Sequence, residues 1–281
     1  MNLTWPIALA VLFGALLHAS WNALVKSGAD KAMDTATMNL IGGLIALPVI
    51  ALVGWPAAAA WPWLLASAAV HVVYFALLTA AYRHGELALT YPLMRGAAPL
   101  LVALTSVAAF GEPLSPAAWG GVIAVSVGVL VLGLSRHGLE SGRAVTLALA
   151  NALVIAVYTV MDGQGVRVSG QAASYVATVF VLNALPFGAL VLARRGWRPL
   201  AQHVRRRAPV AALGSLASIG SYGIALWAMT RAPVASVAAL RETSVLFAAL
   251  IGAWQLHERF TPRRVLGTAA IVAGVAALRL G

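Results

Sequence analysis

Ten apolar runs, each about 20 residues long, account for most of this 281-residue chain. A helix of that length crosses the roughly 30 Å hydrocarbon core of a bilayer. The runs lack the period-two alternation of strands, so helices are favoured over a barrel. Only 10% of the residues are charged, against about 25% in soluble domains. We therefore predict an all-α integral membrane protein. The ten predicted transmembrane helices cover 5–26, 33–54, 61–83, 88–110, 116–134, 145–163, 172–192, 208–230, 234–256 and 262–280.

Lys and Arg are unevenly distributed between the two sets of loops. The loops after odd-numbered spans, with the adjoining span ends, carry 14 of them, and the other side carries 3. The three are Arg167, Arg231 and Arg279. Because basic loops stay in the cytoplasm, this bias predicts cytoplasmic odd-numbered loops and both termini outside.

The net charge of +11 is explained by this topology rather than by nucleic acid. The basic residues cluster between apolar runs, as in the segment 194–207, instead of interleaving with aromatic residues on one face. We therefore predict a lipid bilayer partner and no nucleic acid. The absence of cysteine excludes disulfides and iron–sulfur clusters. The N-terminal segment lacks a basic n-region and is predicted to be a first span.

A shift of 146 residues aligns two segments of the chain without a gap. RGAAPLLVALTSVAAFGEPLSP begins at Arg95, and RETSVLFAALIGAWQLHERFTP begins at Arg241. Glu112 falls on Glu258, and Gly121 and Gly128 fall on glycines as well, at 267 and 274. We predict two five-helix repeats, 1–140 and 141–281. An odd number of spans inverts the second copy, and inverted repeats are typical of secondary transporters.

These paired segments resemble the EamA repeats of the drug/metabolite transporter superfamily. The resemblance covers nearly the whole chain and implies ten helices around a central cavity. It implies alternating-access export or exchange of small metabolites, with amino acids, amines, nucleotides and drugs among the substrates of the family. We predict export of a small polar metabolite such as an amino acid or a related organic acid or amine. We accordingly expect a multi-pass protein of a bacterial inner membrane, present as a monomer or homodimer, that takes a small-molecule substrate and no cofactor.

Arg95 and Arg241 are the leading candidates for substrate binding. Each lies about seven residues, or roughly 10 Å, into its span. An arginine near the bilayer centre costs about 3 kcal/mol on insertion scales and usually faces a cavity or a partner. The pair could hold a carboxylate or phosphate by bidentate hydrogen bonds, or each could tie helices together.

Glu242 is a candidate proton-coupling residue. It is deep in its span and aligns with Gly96, so the first repeat has no counterpart. A fixed ion pair is the alternative, and the partner would then be Arg95, because adjacent residues such as Arg241 point elsewhere on a helix.

Polar and aromatic residues at helical spacing predict inward-facing stripes on several spans. Each of these side chains could instead serve an interhelical hydrogen bond. The candidate substrate-binding residues are His18, Trp21, Asn22, His71, Tyr74, Tyr91, Tyr158, Ser218, Tyr222 and Trp227.

Three further features favour structural roles. Glu112 and Glu258 precede helix starts capped by Ser115-Pro116 and its counterpart, and are expected to bond their own loops. Asp162, near the end of span 6, is expected to be a solvated interface residue. The glycines spaced by seven are expected to pack span 5 against span 10, with dimerisation as the lesser possibility.

The sequence also limits the function classes. It has no GxxxxGK[ST] loop, so the chain is not expected to hydrolyse ATP. It offers no clustered nucleophile and base and no metal-ligand cluster, so neither an enzyme nor a metal site is predicted. A secondary transporter is the leading hypothesis, and a flippase for a lipid-linked phosphate headgroup is the alternative. In a non-transporting subunit, the buried arginines would serve no purpose.

Overall fold

A computed structural model describes residues 3–26, 30–84, 87–133, 142–256 and 262–280. Within these ranges the chain is helical and contains no strand. One 3₁₀ turn, Ala58–Ala60, precedes α3. The α-helices are α1 Trp5–Lys26, α2 Lys31–Val53, α3 Trp61–His84, α4 Leu87–Phe110, α5 Pro116–Gly133, α6 Gly142–Arg167, α7 Ala172–Arg195, α8 Trp197–Met229, α9 Val234–Arg241, α10 Ser244–Leu256 and α11 Pro262–Leu280.

Seven helices of the described ranges are long and apolar enough to cross a membrane. They are α1, α2, α3, α4, α6, α7 and α8. Helices α5 and α11 are apolar over shorter stretches, Pro116–Leu132 and Val265–Leu280. The prediction of an all-helical membrane protein is thus confirmed, and the number of ten spans stays a prediction.

The predicted span 234–256 is wrong as a single helix. It is interrupted at Glu242 and Thr243, between α9 and α10. Here the backbone N–H groups of Glu242, Thr243, Val245 and Leu246 bond the carbonyls three residues earlier instead of four. Such a 3₁₀ stretch inside a helix often marks a hinge or a functional site. The interruption directly follows Arg241.

Two other helices are longer than predicted. Helix α8 begins at Trp197 rather than at 208, so its first three turns carry much of the basic segment. Helix α6 continues to Arg167 rather than ending at 163. The second difference changes the surroundings of Asp162, as described below.

Helices α5 and α11 pack closely through glycines. A Cβ added to Gly121 would lie 2.8 Å from the carbonyl oxygen of Gly274, and one on Gly128 would lie 2.8 Å from that of Gly267. Because the earlier residue of α5 meets the later residue of α11, the two helices run antiparallel. The expected packing of span 5 on span 10 is therefore present.

We expect Gly128→Ala to destabilise the protein. The added methyl group would meet Ile271 Cγ1 at 2.6 Å as well as the backbone of Gly267, and overpacking of this kind typically costs about 1–3 kcal/mol. A matched control exists in the same helix, since a Cβ on Gly120 meets nothing within 4 Å. Thermal unfolding in detergent should show a lower midpoint for Gly128→Ala and an unchanged one for Gly120→Ala. Equal midpoints would mean that the contact is not tight.

Three further pairs of helices pack along their lengths. Helix α3 packs on α6, and α8 packs on α1. Helix α2 packs on α7, where a Cβ on Gly43 would lie 2.8 Å from Ala184 Cβ and one on Gly188 would lie 2.8 Å from Leu40. This pair also runs antiparallel.

The bundle has two distinguishable ends. At one end, Glu112 and Arg167 lie near Leu3 and Leu278, so the start of α1 and the end of α11 are there. We call this end the latch face. At the other end, Asp34 of α2 contacts His203 and Arg207 of α8 at 3.0 Å. The basic segment 194–207 lies there, and we call this end the arginine-rich face.

Candidate substrate-binding site

A central cavity of about 220 Å³ lies among eight helices, α1 to α4 and α6 to α9. At its rim, Val25 is one residue from the end of α1 and Thr35 is in the first turns of α2, so the cavity reaches towards the arginine-rich face. The lining residues are His18, Trp21, Asn22, Val25, Thr35, Met38, Asn39, His71, Tyr74, Tyr91, Arg95, Tyr158, Val179, Phe180, Asn183, Ser215, Ser218, Ser221, Tyr222 and Arg241.

Helical periodicity explains why the polar groups converge. His18 and Asn22 are one turn apart on α1, and Asn22 Nδ2 donates to the carbonyl of His18 at 2.7 Å. On α8, Ser218 and Tyr222 are likewise one turn apart. Residues four apart share a helix face, so each polar stripe turns to the same interior space and leaves the apolar faces to lipid.

Arg95 and Glu242 form a buried ion pair. Arg95 Nε lies 2.8 Å from Glu242 Oε2, and the two residues are 9% and 5% exposed. The N–H bond is not aligned with that oxygen, and Arg95 Nη2 has no hydrogen-bond partner in the described part of the chain. The pair joins α4 to the interruption between α9 and α10, with the partner that the sequence suggested for Glu242, and it leaves a guanidinium N–H of Arg95 without a hydrogen bond among the described residues.

Arg241 has a different environment. Its guanidinium carbon lies 5.3 Å from the ring centroid of Tyr222, within cation–π range. Among the residues that the structure describes, it takes part in no ion pair. Of the two arginines that line the cavity, Arg95 therefore pairs with a carboxylate, and Arg241 has no carboxylate partner among the described residues.

Aromatic rings form a second part of the lining. The rings of His71 and Tyr158 are 4.2 Å apart, and those of Tyr74 and Tyr158 are 5.9 Å apart in an edge-on arrangement. His71 Nδ1 donates to the carbonyl of Ser67 at 2.8 Å, which fixes the imidazole on α3. We call His71, Tyr74 and Tyr158 the aromatic cluster. On α1, Trp21 packs edge-on against His18 at 5.2 Å.

The prediction for Asp162 is wrong. It is not a solvated interface residue but is fully buried. Its Oδ1 accepts the hydroxyl of Tyr175 at 2.9 Å, and its Oδ2 accepts the hydroxyl of Tyr222. The reason is that α6 extends past the predicted end, so Asp162 is five residues inside the helix. Through Tyr222, this carboxylate is one hydrogen bond away from the cavity.

The structure brings eleven of the twelve proposed substrate-binding residues around this one cavity. Trp227 is the exception: it is partly buried and packs against the apolar core, and Arg231 lies over its ring at 4.6 Å. Sequence reasoning missed Asn39 of α2 and Asn183 of α7. An amide inside an otherwise apolar span was the available signal for both.

Packed side chains and an ion pair close the cavity towards the latch face. The side chains of Tyr175, Met229 and Val234 are completely buried on the side of the cavity that faces the latch face. Beyond them, Glu112 pairs with Arg167, and Glu112 Oε2 accepts the backbone N–H of Val234 at 3.1 Å.

Arg167 completes this closure from the end of α6. It donates to the carbonyls of Met229 at 2.8 Å and Ala232 at 3.3 Å. We call Glu112, Arg167 and these α8–α9 backbone groups the latch. The Glu112 carboxylate thus bonds α6 and the start of α9, so the expectation that it bonds its own loop is wrong. Ser115 caps α5 as expected and accepts from the N–H of Ala118 at 3.0 Å. Glu258 is outside the described residues.

The fold and cavity define a polytopic helical membrane protein with a polar interior site. The model of the EamA-like transporter family matches residues 142–280. A solved crystal structure superposes on 98% of this chain and 95% of its own with a TM-score of 0.73 at 20% identity, which shows a shared fold. A search of the curated proteins found no match. The chain belongs to the EamA-type transporters of the drug/metabolite transporter superfamily and is a membrane transporter.

Proposed function

We propose that this protein is a secondary active transporter that exports a small polar metabolite carrying an anionic group. An amino acid or a related organic acid fits this description. The observation that carries the proposal is the pair Arg95 and Arg241 in one cavity, with only Arg95 compensated by a carboxylate. The cavity volume of about 220 Å³ suits a metabolite of this size.

The chemistry of the guanidinium group supports an anionic ligand. Burying an unpaired arginine in a bundle is costly, and a bidentate carboxylate offsets that cost by charge and by two parallel hydrogen bonds. In this proposal the substrate anion binds Arg241 and the free N–H of Arg95. The other cavity residues predicted from the sequence surround the rest of the molecule.

Inverted repeats of five spans, 1–140 and 141–281, account for the helix pairing. Corresponding helices α5 and α11 are antiparallel, as are α2 and α7. The partnership of α3 with α6 repeats in that of α8 with α1. These relations support a two-fold axis in the membrane plane, ten spans in total, and a substrate site at the interface of the repeats.

The difference between the two ends of the bundle supports alternating access. The cavity reaches the arginine-rich face while the core and the latch close the other end. By the positive-inside rule the arginine-rich face is cytoplasmic and both termini are outside, in a bacterial inner membrane. The open cavity then loads from the cytoplasm, as export requires. The interruption after Arg241 supplies irregular backbone at the site, where discontinuous helices of transporters bind substrates.

Exchange in proteoliposomes tests this function. Purified protein would be reconstituted and preloaded with one unlabelled probe from a panel of succinate, acetate, alanine, leucine, phenylalanine and the three matching decarboxylated amines. We expect saturable uptake of at least one labelled probe that carries a carboxylate and none of the simple amines. Uptake of amines alone, or of no probe, would contradict the proposal.

Glu242 is proposed to couple transport to protons. Its carboxylate faces Arg95, so a proton on Glu242 would release Arg95 for the substrate and change the charge of the cavity. We expect Glu242→Gln to flatten the pH dependence of uptake. Asp34→Asn is the matched control, because Asp34 is equally buried at 5% but bonds His203 and Arg207 at the arginine-rich face. An unchanged pH profile in Glu242→Gln would remove Glu242 from the coupling mechanism.

One observation favours the flippase alternative. A groove of about 360 Å³ between α3 and α7 shares His71 and Asn183 with the cavity, and Arg83 and Arg194 stand at its end. A lipid headgroup could enter sideways by this route. Dithionite quenching of fluorescent phospholipid in the same proteoliposomes distinguishes the two functions. Protein-dependent loss of inner-leaflet fluorescence would favour the flippase.

A further inference from the structure

Groups of opposite charge lie in the cavity lining and directly behind it. Arg95 and Arg241 come from α4 and α9. Glu242 neutralises Arg95 directly. The remaining negative charge belongs to Asp162 of α6, which the transport mechanism above does not use. With these four groups ionised the centre is electrically neutral, which suits a ligand that is itself neutral overall but carries both charges.

Hydrogen-bond donors surround the carboxylate of Asp162. It is fully buried, and each of its two oxygens accepts a phenolic hydroxyl, from Tyr175 of α7 and from Tyr222 of α8. Charge-assisted hydrogen bonds of this kind stabilise a carboxylate that has left water. No arginine or lysine of the described residues pairs with it. Its charge is therefore available to attract a cation in the neighbouring cavity.

The aromatic cluster stands between Asp162 and the cavity. Tyr158 is one helical turn before Asp162 on α6, so both side chains lie on the same face. The rings of His71, Tyr74 and Tyr158 are 4.2 to 6.3 Å apart and line the cavity. Aromatic faces bind ammonium groups, and a carboxylate behind them adds to that attraction.

Tyr222 connects the two charged regions. Its hydroxyl donates to Asp162, and its ring lies under the guanidinium of Arg241. A ligand next to Tyr222 therefore has the guanidinium of Arg241 on one side. On another side it has the aromatic cluster, with the carboxylate of Asp162 behind it.

We propose that Asp162 is a specificity-determining residue that selects zwitterionic substrates. The substrate carboxylate binds Arg241, and its ammonium group lies against the aromatic cluster in the field of Asp162. This inference rests on the proposed function and narrows its substrate class: the amine is required as well as the acid. Asp162 acts through space and through Tyr222, without touching the substrate.

Matched triplets of ligands test the inference. Each triplet has an amino acid, the same molecule without its amine and the same molecule without its carboxylate, for example leucine, 4-methylpentanoate and 3-methylbutylamine. The alanine and phenylalanine series complete the set. Inhibition constants would be measured in the proteoliposome exchange assay, with the best carboxylate-bearing probe as the labelled species. In the wild type we expect the amino acid to bind about tenfold more tightly than its deaminated partner.

Four variants test whether Asp162 is responsible for the preference for the amino acid over the deaminated acid. Asp162→Asn should reduce the preference for the amino acid to within about twofold while the deaminated acid binds as before. Asp162→Glu should retain the preference, because the charge is kept. Tyr175→Phe is the structural control: it removes one donor to Asp162 outside the cavity and should keep the preference. If Asp162→Asn does not fold, Tyr158→Leu, which removes the aromatic face, should lose the preference instead.

The outcomes separate this inference from the proposed function. Equal binding of amino acid and deaminated acid in the wild type, or an intact preference in Asp162→Asn, would overturn the role of Asp162 while leaving carboxylate transport standing. Absence of exchange for every carboxylate-bearing probe would overturn both.

Discussion

Arg241→Ala is expected to abolish exchange of the carboxylate-bearing probes while leaving folded protein in the membrane. Arg241 is the cavity arginine without a carboxylate partner in the described ranges, so its removal leaves no buried anion unpaired. When one partner of a buried charge pair between protein and ligand is truncated, the binding free energy falls by about 2–5 kcal/mol. A loss of about 3 kcal/mol already weakens binding more than 100-fold. The measurement is the apparent affinity and rate of exchange in proteoliposomes, with the amount of folded protein checked by gel filtration.

Arg231→Ala is the matched control for Arg241→Ala. Both arginines lie over an aromatic ring of α8, Arg231 over Trp227 and Arg241 over Tyr222, but Arg231 is exposed and outside the cavity. The control should exchange substrate at the wild-type rate. If Arg241→Ala also transports normally, the anion site is not at Arg241.

Arg95→Ala should abolish exchange for a second reason as well. It leaves Glu242 buried without its partner, and breaking a buried ion pair in this way costs about 3–5 kcal/mol. Reduced yield of folded protein is therefore expected for Arg95→Ala and not for Arg241→Ala. This difference between two aligned arginines follows from the single asymmetric carboxylate, Glu242.

Glu112→Gln is expected to open the cavity to the latch face. The substitution removes the negative charge that pairs with Arg167. The side chains of Glu112 and Arg167 are largely buried, at 15% and 17% exposure. Each 1.4 kcal/mol lost from the closed state shifts the equilibrium about tenfold, and a pair this buried supplies more than that. The natural absence of cysteine makes the measurement direct. Ser218→Cys in the cavity would be labelled by an impermeant thiol reagent added to one side of the membrane at a time.

When Ser218→Cys is the only substitution, the thiol at position 218 should react only with reagent added on the arginine-rich face. With Glu112→Gln added, it should react from both. Asp30→Asn is the control, since it removes the exposed ion pair with Arg195 at the other end while keeping an oxygen to cap α2. Unchanged sidedness in the Glu112→Gln protein would mean that the latch does not hold the closed state.

Much of the site could be predicted because membrane burial makes polar residues informative. Arg95, Arg241 and the stripes on α1, α3 and α8 had no low-energy place except the interior. The same reasoning failed for Trp227, since an aromatic ring is stable in the core, in lipid or in a cavity. It missed Asn39 and Asn183 because neither belongs to a longer polar stripe.

The local structure at Glu242 could not be predicted from periodicity. The segment around it contains neither proline nor glycine, so a continuous helix was the natural expectation. Thr243 Oγ1 donates to the carbonyl of Leu240 at 2.7 Å, and such side-chain bonds compete with helical ones. The ion pair with Arg95 holds the turn from another helix. Asp162 was misjudged for a related reason, because a helix end predicted four residues early moved a buried group to the surface.

A solute that enters the cavity from the arginine-rich face is expected to meet positive charge first, because Arg95 and Arg241 line the cavity whereas the carboxylates of Glu242 and Asp162 lie behind the lining. Labelling Ser218→Cys with an anionic and a cationic methanethiosulfonate of similar size tests this expectation without knowledge of the substrate. Gly142→Cys, exposed at the start of α6 with open space around its Cβ, provides the reference ratio of the two rates. We expect the anionic reagent to be favoured in the cavity by about tenfold over this reference, and Arg241→Ala to remove most of that preference. A cavity that reacts equally with both reagents, or faster with the cationic one, would contradict the account.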